Sequence, residues 1–124
     1  PTPSAASPTS MASVAELTAA AVSSATDAML VGLAALGVGP GDEVITTPMT
    51  FCSTVHVIEH LGARPVLVDV MPDTLNIDPE QVAQAITPRT RGIMPVHLYG
   101  HPCEMDALHG LANKHNPFIL EDVL

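Results

Sequence analysis

From residue 26 onward, longer segments of helical character alternate with short apolar runs. EVITT (43–47), PVLVDV (65–70), RGIMPVHL (91–98) and FILED (118–122) read as strands, and residues 26–36, 50–61, 78–86 and 105–115 read as helices. Antiparallel strands can be joined by tight turns, whereas parallel ones need a crossover of a dozen residues or more, usually helical. The alternation therefore predicts a mostly parallel sheet with helices on both faces, an α/β fold. The 65–70 run is apolar almost without interruption, which predicts a strand buried on both faces.

The boundaries carry their own signals. Ser24-Ala25-Thr26-Asp27 matches a helix start in which a hydroxyl residue caps and an acidic residue follows three positions later. Ala28, Met29, Leu33 and Leu36 then recur as on one helical face, and Gly37 ends the run. Gly39-Pro40-Gly41-Asp42 is a turn, Gly62 stops the second helix, and residues 72–77 read as a loop. Asp78 followed by Pro79 pairs a cap with the residue best suited to the first helical position. Residues 1–10 (PTPSAASPTS) have the composition of a disordered tail, drawn as residues 1–12, and residues 19–22 read as a short strand.

With 47% hydrophobic and 14% charged residues, the 124-residue chain can build one buried core and has no room for two. Its net charge is −9, and Arg64, Arg89, Arg91 and Lys114 are too scattered for a phosphate-backbone surface, which argues against nucleic acid as a partner. No apolar run approaches the ~20 residues a membrane helix needs, and the N-terminus lacks the pattern of a signal peptide. The expectation is a soluble, cytoplasmic protein with no membrane partner. Cys52 and Cys103 belong to no close pair and read as two buried thiols of a reducing compartment.

Open parallel sheets bind ligands outside the carboxyl ends of their strands. That rule selects residues 23–27, 47–51, 70–72, 97–101 and 122. The turn at Ser24 presents unpaired N–H groups suited to a phosphate, with Thr26 adding a hydroxyl and Ala25 leaving room for close approach. An ordinary capped helix would look the same, and Asp27 would repel a phosphate unless its carboxylate points away. Phe51 is one of three aromatic residues; it could stack on a planar cofactor or simply fill the core. Asp122 ends an apolar strand, where a carboxylate is costly to bury without a partner. A pyridinium nitrogen would be such a partner, while a solvated loop residue or a metal ligand are the competing roles. His56-Val57-Ile58-Glu59-His60 spells an inverted zinc-protease motif, and His97, His101 and Cys103 could gather round a metal; both signals are weak, and solvated or hydrogen-bonded histidines are the favoured reading.

Taken together, LGVGPGDEVITTP (36–48), GARPV (62–66) with Asp69-Val70, TLNIDP (74–79), ITPRTR (86–91), PVHLYG (95–100) and ILED (119–122) resemble the DegT-type sugar aminotransferases. These are pyridoxal-phosphate enzymes of the aspartate-aminotransferase superfamily (fold type I), and the resemblance runs from Ser23 to Asp122. It implies that residues 13–124 are part of the cofactor-binding large domain. The implied activity is transfer of an amino group from an amino acid to a nucleotide-linked keto-sugar in polysaccharide, cell-envelope or antibiotic sugar biosynthesis, by a homodimer. Carried over by position, Ala25 and Thr26 fall at the phosphate, Phe51 on the pyridine ring and Asp122 at the ring nitrogen. The resemblance supplies no catalytic residue within the chain and no metal. The family's lysine that forms a Schiff base with the cofactor has no counterpart, because Lys114, the sole lysine, stands elsewhere. The chain thus reads as the front portion of such an enzyme, inactive alone. The alternatives are a non-catalytic fragment acting as a binding or subunit-interaction module and, third, a zinc hydrolase.

Overall fold

A computed structural model describes residues 22–50 and 52–123. The expected tail and the short strand at 19–22 therefore lie outside the described residues, apart from Val22. The elements are α1 (Ala25–Ala35), β1 (Glu43–Thr46), α2 (Cys52–His60), β2 (Arg64–Leu67), α3 (Pro79–Ala85), β3 (Thr90–Ile93), β4 (Val96–His97), α4 (Met105–His115), β5 (Phe118–Ile119) and β6 (Asp122–Val123), with a 3-10 turn at Leu98–Gly100 after β4. The sheet has the order β2-β1-β3-β5 with every pairing parallel, and β4 pairs with β6 in a second parallel ribbon.

The core has two halves, one on each face of the sheet. Successive strand residues point to opposite faces. Val44 and Met94 thus pack with Met29, Leu33, Val57 and Ile58 of α1 and α2, whereas Ile45 and Ile93 pack with Val82 and Leu108 of α3 and α4. This is the α/β architecture the alternation predicts. The caps also form as expected: Ser24 Oγ accepts from the Asp27 N–H at 3.2 Å, and Asp78 Oδ1 accepts from Glu80 N–H at 2.9 Å ahead of Pro79.

Four expectations are corrected. The run 65–70 is not a doubly buried strand: β2 is a sheet edge with one strand neighbour among the described residues, and its Leu67 is 50% exposed. Burial throughout belongs instead to β1, which has a strand on either side. The runs 91–98 and 118–122 are each broken in two. Pro95 has no N–H to give to the ladder, and the chain steps across the gap through Met94 N–H to Ile45 O at 2.8 Å, Leu120 N–H to Ile93 O at 3.0 Å and Asp122 N–H to Pro95 O at 2.9 Å. On α1 the buried face consists of Met29 and Leu33, while Ala28 is exposed.

The fourth correction concerns the thiols. Cys103 is buried, its Sγ donating to Val96 O at 3.2 Å, but Cys52 opens α2 and is exposed. Burial, with a smaller push from the Glu121 carboxylate, holds the Cys103 thiol above the ordinary range against hydrogen bonding that pulls the other way. A thiol so raised contributes stability that is fully present below its unfolded titration and is lost as the pH climbs from there through the raised folded-state value. The native protein is expected to react with a thiol reagent at one cysteine, Cys52, and at both only after denaturation. Two fast-reacting thiols in the native state would contradict the burial of Cys103.

Candidate active site

Strand order places a topological switch between β1 and β3, since the chain leaves β1 toward β2 on one side and returns to β3 on the other. A crevice at the carboxyl ends of those strands is where an open α/β sheet takes its ligand. Hydroxyls fill the approach to it. Thr46 Oγ1 donates to Met94 O at 2.9 Å, tying the end of β1 to the end of β3. Thr47 Oγ1 accepts from Met49 N–H at 3.2 Å and shapes the turn into α2.

Asp122 lies at this edge. Its backbone is in register with Val96 of β4, and its side chain is buried, with the residue only 5% exposed. The Oδ2 atom accepts from Thr54 Oγ1 at 2.9 Å, and Thr54 Oγ1 is 2.7 Å from Thr50 Oγ1. Thr54 belongs to the first turn of α2, whose exposed N–H groups form the positive end of the helix dipole. Among the described residues, no side chain is bonded to Oδ1. A buried carboxylate with one oxygen satisfied and, among the described residues, no partner at the other can take one further donor.

The start of α1 points to the same edge. At its other end Arg91, near the beginning of β3, donates from Nη2 to Leu36 O at 2.9 Å, so the helix runs against the strands. Midway, Gly32 faces Leu120, whose methyl carbons lie 3.6 Å from where a Cβ would stand. Thr26 is about 9 Å further along the helix from that level, toward the same edge as Asp122, which follows Leu120 by two residues. Ala25 and Thr26 are exposed, and their N–H groups have no partner among the described residues. The Asp27 carboxylate accepts from the Ser23 hydroxyl at 3.0 Å, so its charge is partly engaged at the helix start. Phe51 lies outside the described residues.

Sequence reasoning missed Thr50 and Thr54. Their spacing of four residues, one helical turn, puts both hydroxyls on one face of a helix, but nothing in the sequence near them ties them to Asp122.

His97 and the backbone of His101 serve the loop after β4. His97 Nδ1 accepts from Cys103 N–H at 3.0 Å and Nε2 lies 3.5 Å from Glu121 Oε1. Buried Asn76 donates from Nδ2 to His101 O at 2.9 Å and accepts from Leu98 N–H at 3.1 Å, so the loop after β4 is pinned from both sides. Among the described residues, no three of His, Cys, Asp or Glu gather as metal ligands. A cleft of about 180 Å³ bounded by Gly41, Glu43, Gly62, Arg64 and Arg89 opens at the amino edge, opposite Asp122.

Comparison with known proteins agrees with this architecture. Residues 11–123 match the model of the DegT/DnrJ/EryC1/StrS aminotransferase family. The spore coat polysaccharide biosynthesis protein SpsC of Bacillus subtilis is 52% identical over 104 residues, which are 84% of this chain and 27% of that protein. Among solved structures, DesV of S. venezuelae matches with a TM-score of 0.76 and 48% identity over 78% of this chain and 26% of its own. NtdA from Bacillus subtilis, solved with bound cofactor PMP, matches with a TM-score of 0.76 and 43% identity over 78% of this chain and 22% of its own. The chain therefore spans about a quarter of the length of these relatives. A family match over nearly the whole chain, joined to a doubly wound sheet of the same shape, assigns it: the chain belongs to the DegT/DnrJ/EryC1/StrS aminotransferase family.

Proposed function

We propose that the protein is a pyridoxal-phosphate-dependent aminotransferase that moves an amino group from an amino acid to a nucleotide-linked keto-sugar. Residues 13–124 would form part of its cofactor-binding large domain. Asp122 carries this reading: a carboxylate buried at the sheet's carboxyl edge, held through one oxygen and, among the described residues, without a partner at the other. Pyridoxal phosphate, when bound, supplies an electron sink for charge developing at the carbon that loses a proton, and the sink works best with its ring nitrogen protonated.

The protein's own residues would do the rest. Asp122 Oδ1 would accept from the ring nitrogen and keep the proton there. The N–H groups of Ala25 and Thr26, with the Thr26 hydroxyl, would hold the phosphate at the positive end of α1. Phe51 would fix the plane of the ring from its place between Thr50 and the start of α2. Lys114 is exposed in the last turn of α4, a helix packed on the other face from α1 and α2, and in this reading it would not be the amine that holds the cofactor covalently. Among the described residues, no helix is long and apolar enough to cross a membrane. We place the enzyme in the cytoplasm as a homodimer.

The test uses the full-length protein with the cofactor, an amino-acid donor and a nucleotide-linked keto-sugar. Binding of one cofactor per chain and conversion of the donor to its keto acid are expected. Failure to bind the cofactor, or binding with no amino transfer to any such sugar, would overturn the proposal.

A further inference from the structure

We propose that Thr54 is the positioning residue for the Asp122 carboxylate, with Thr50 as the outer member of the same relay; this rests on the reading of Asp122 as the partner of the ring nitrogen. Thr54 is fully buried, and its hydroxyl reaches a residue 68 positions away in the sequence. Such a hydroxyl at a helix start ordinarily serves its own backbone.

Proton bookkeeping gives the relay a direction. An ionised carboxylate can only accept, so the single Thr54 proton goes to Asp122 Oδ2. The 2.7 Å contact between Thr50 and Thr54 then has Thr50 donating, since Thr54 has no second proton to give. Each donor polarises the next, which strengthens the terminal bond to the carboxylate. With Oδ2 occupied, the carboxylate cannot turn freely about its last torsion, and Oδ1 is the oxygen left for a ligand. The amide of Asp122 itself is held by Pro95 O at 2.9 Å, so the backbone end of the side chain is anchored as well.

Three variants of the full-length protein test this, using pyridoxamine 5′-phosphate labelled with ¹⁵N at the ring as the probe. Thr54→Val keeps the shape and removes the donor. It is expected to weaken binding roughly 10-fold or more, the scale of a hydrogen bond to a charged group. The ring ¹⁵N signal should move toward that of the unprotonated ring. Thr54→Ser restores the hydroxyl and should recover both, which a purely packing role would not explain. Thr50→Val should shift both in the same direction by a smaller factor, about threefold. Unchanged affinity and ¹⁵N signal in Thr54→Val would overturn the proposal; should that variant not fold, the same result in Thr50→Val would do so. Asp122→Asn separates the two levels. If it too leaves the ¹⁵N signal unchanged, the assignment of Asp122 fails; if it alone moves the signal, only the role of Thr54 fails.

Discussion

Asp122→Asn is expected to weaken retention of pyridoxamine phosphate by roughly 30-fold to several thousand-fold and to remove amino transfer, while the folded protein loses little stability. The range corresponds to about 2–5 kcal/mol, the cost of truncating one side of a buried, hydrogen-bonded charge pair. Asn has the size of Asp, and its amide oxygen can take the Thr54 hydroxyl that Oδ2 accepts at 2.9 Å. The change thus removes the charge and little else. Calorimetric titration of the cofactor alongside a denaturation midpoint separates the two effects. If stability falls as far as affinity does, Asp122 is there to hold the sheet together and its cofactor role is wrong.

Gly92→Ala should destabilise the fold by at least about 3 kcal/mol, the upper range for overpacking a core. Gly92 of β3 stands opposite Phe118 of β5, and the Phe118 ring lies across it so closely that a Cβ would occupy the space of the ring carbons. Backbone strain is not the reason, because Gly92 does not need a positive φ. The partly buried ring can retreat only by giving up packing, since Phe118 lies against the cluster of Met29, Leu33 and Met94. Trimming the ring should therefore relieve the clash: Phe118→Leu in the Gly92→Ala background is expected to recover part of the loss, a coupling that a double-mutant cycle by urea denaturation would measure. Independent, additive losses would show that the two residues do not compete for one space. The pairing matters for the site, because the β3–β5 register carries through Leu120 to set the height of Asp122.

Much of this architecture was legible because it depends on local signals. Asp78-Pro79 and Ser24 to Asp27 announce their helices through caps whose partners lie two or three residues away. Residues 105–115 have the same bounds in sequence and structure, and a left-handed Asn116 ends the helix. Edge position is different. PVLVDV looks like a central strand, and only the strand order reveals that β2 has one strand neighbour among the described residues. The breaks beside Pro95 and at Leu120-Glu121 likewise depend on how four chain segments meet.

The candidate site divides the same way. Asp122 stood out because a carboxylate ending an apolar strand demands an explanation from chemistry alone. Its donor Thr54 did not, because a hydrogen bond spanning 68 positions leaves no trace in either neighbourhood. Cys52 was expected to be buried from the habits of free thiols, yet as the first residue of α2 it is exposed. Ala25 and Thr26 were legible as a helix start with spare N–H groups, and what the structure adds is the edge toward which that start points.

A crystal structure of the full-length protein with pyridoxamine 5′-phosphate bound would put the most weight on these residues. The ring nitrogen should lie about 2.7–2.9 Å from an oxygen of Asp122, as in a charge-assisted hydrogen bond, with the phosphate against the N–H groups of Ala25 and Thr26. A cofactor seated elsewhere, or one whose ring nitrogen faces solvent while Asp122 keeps only its threonine partner, would contradict the account.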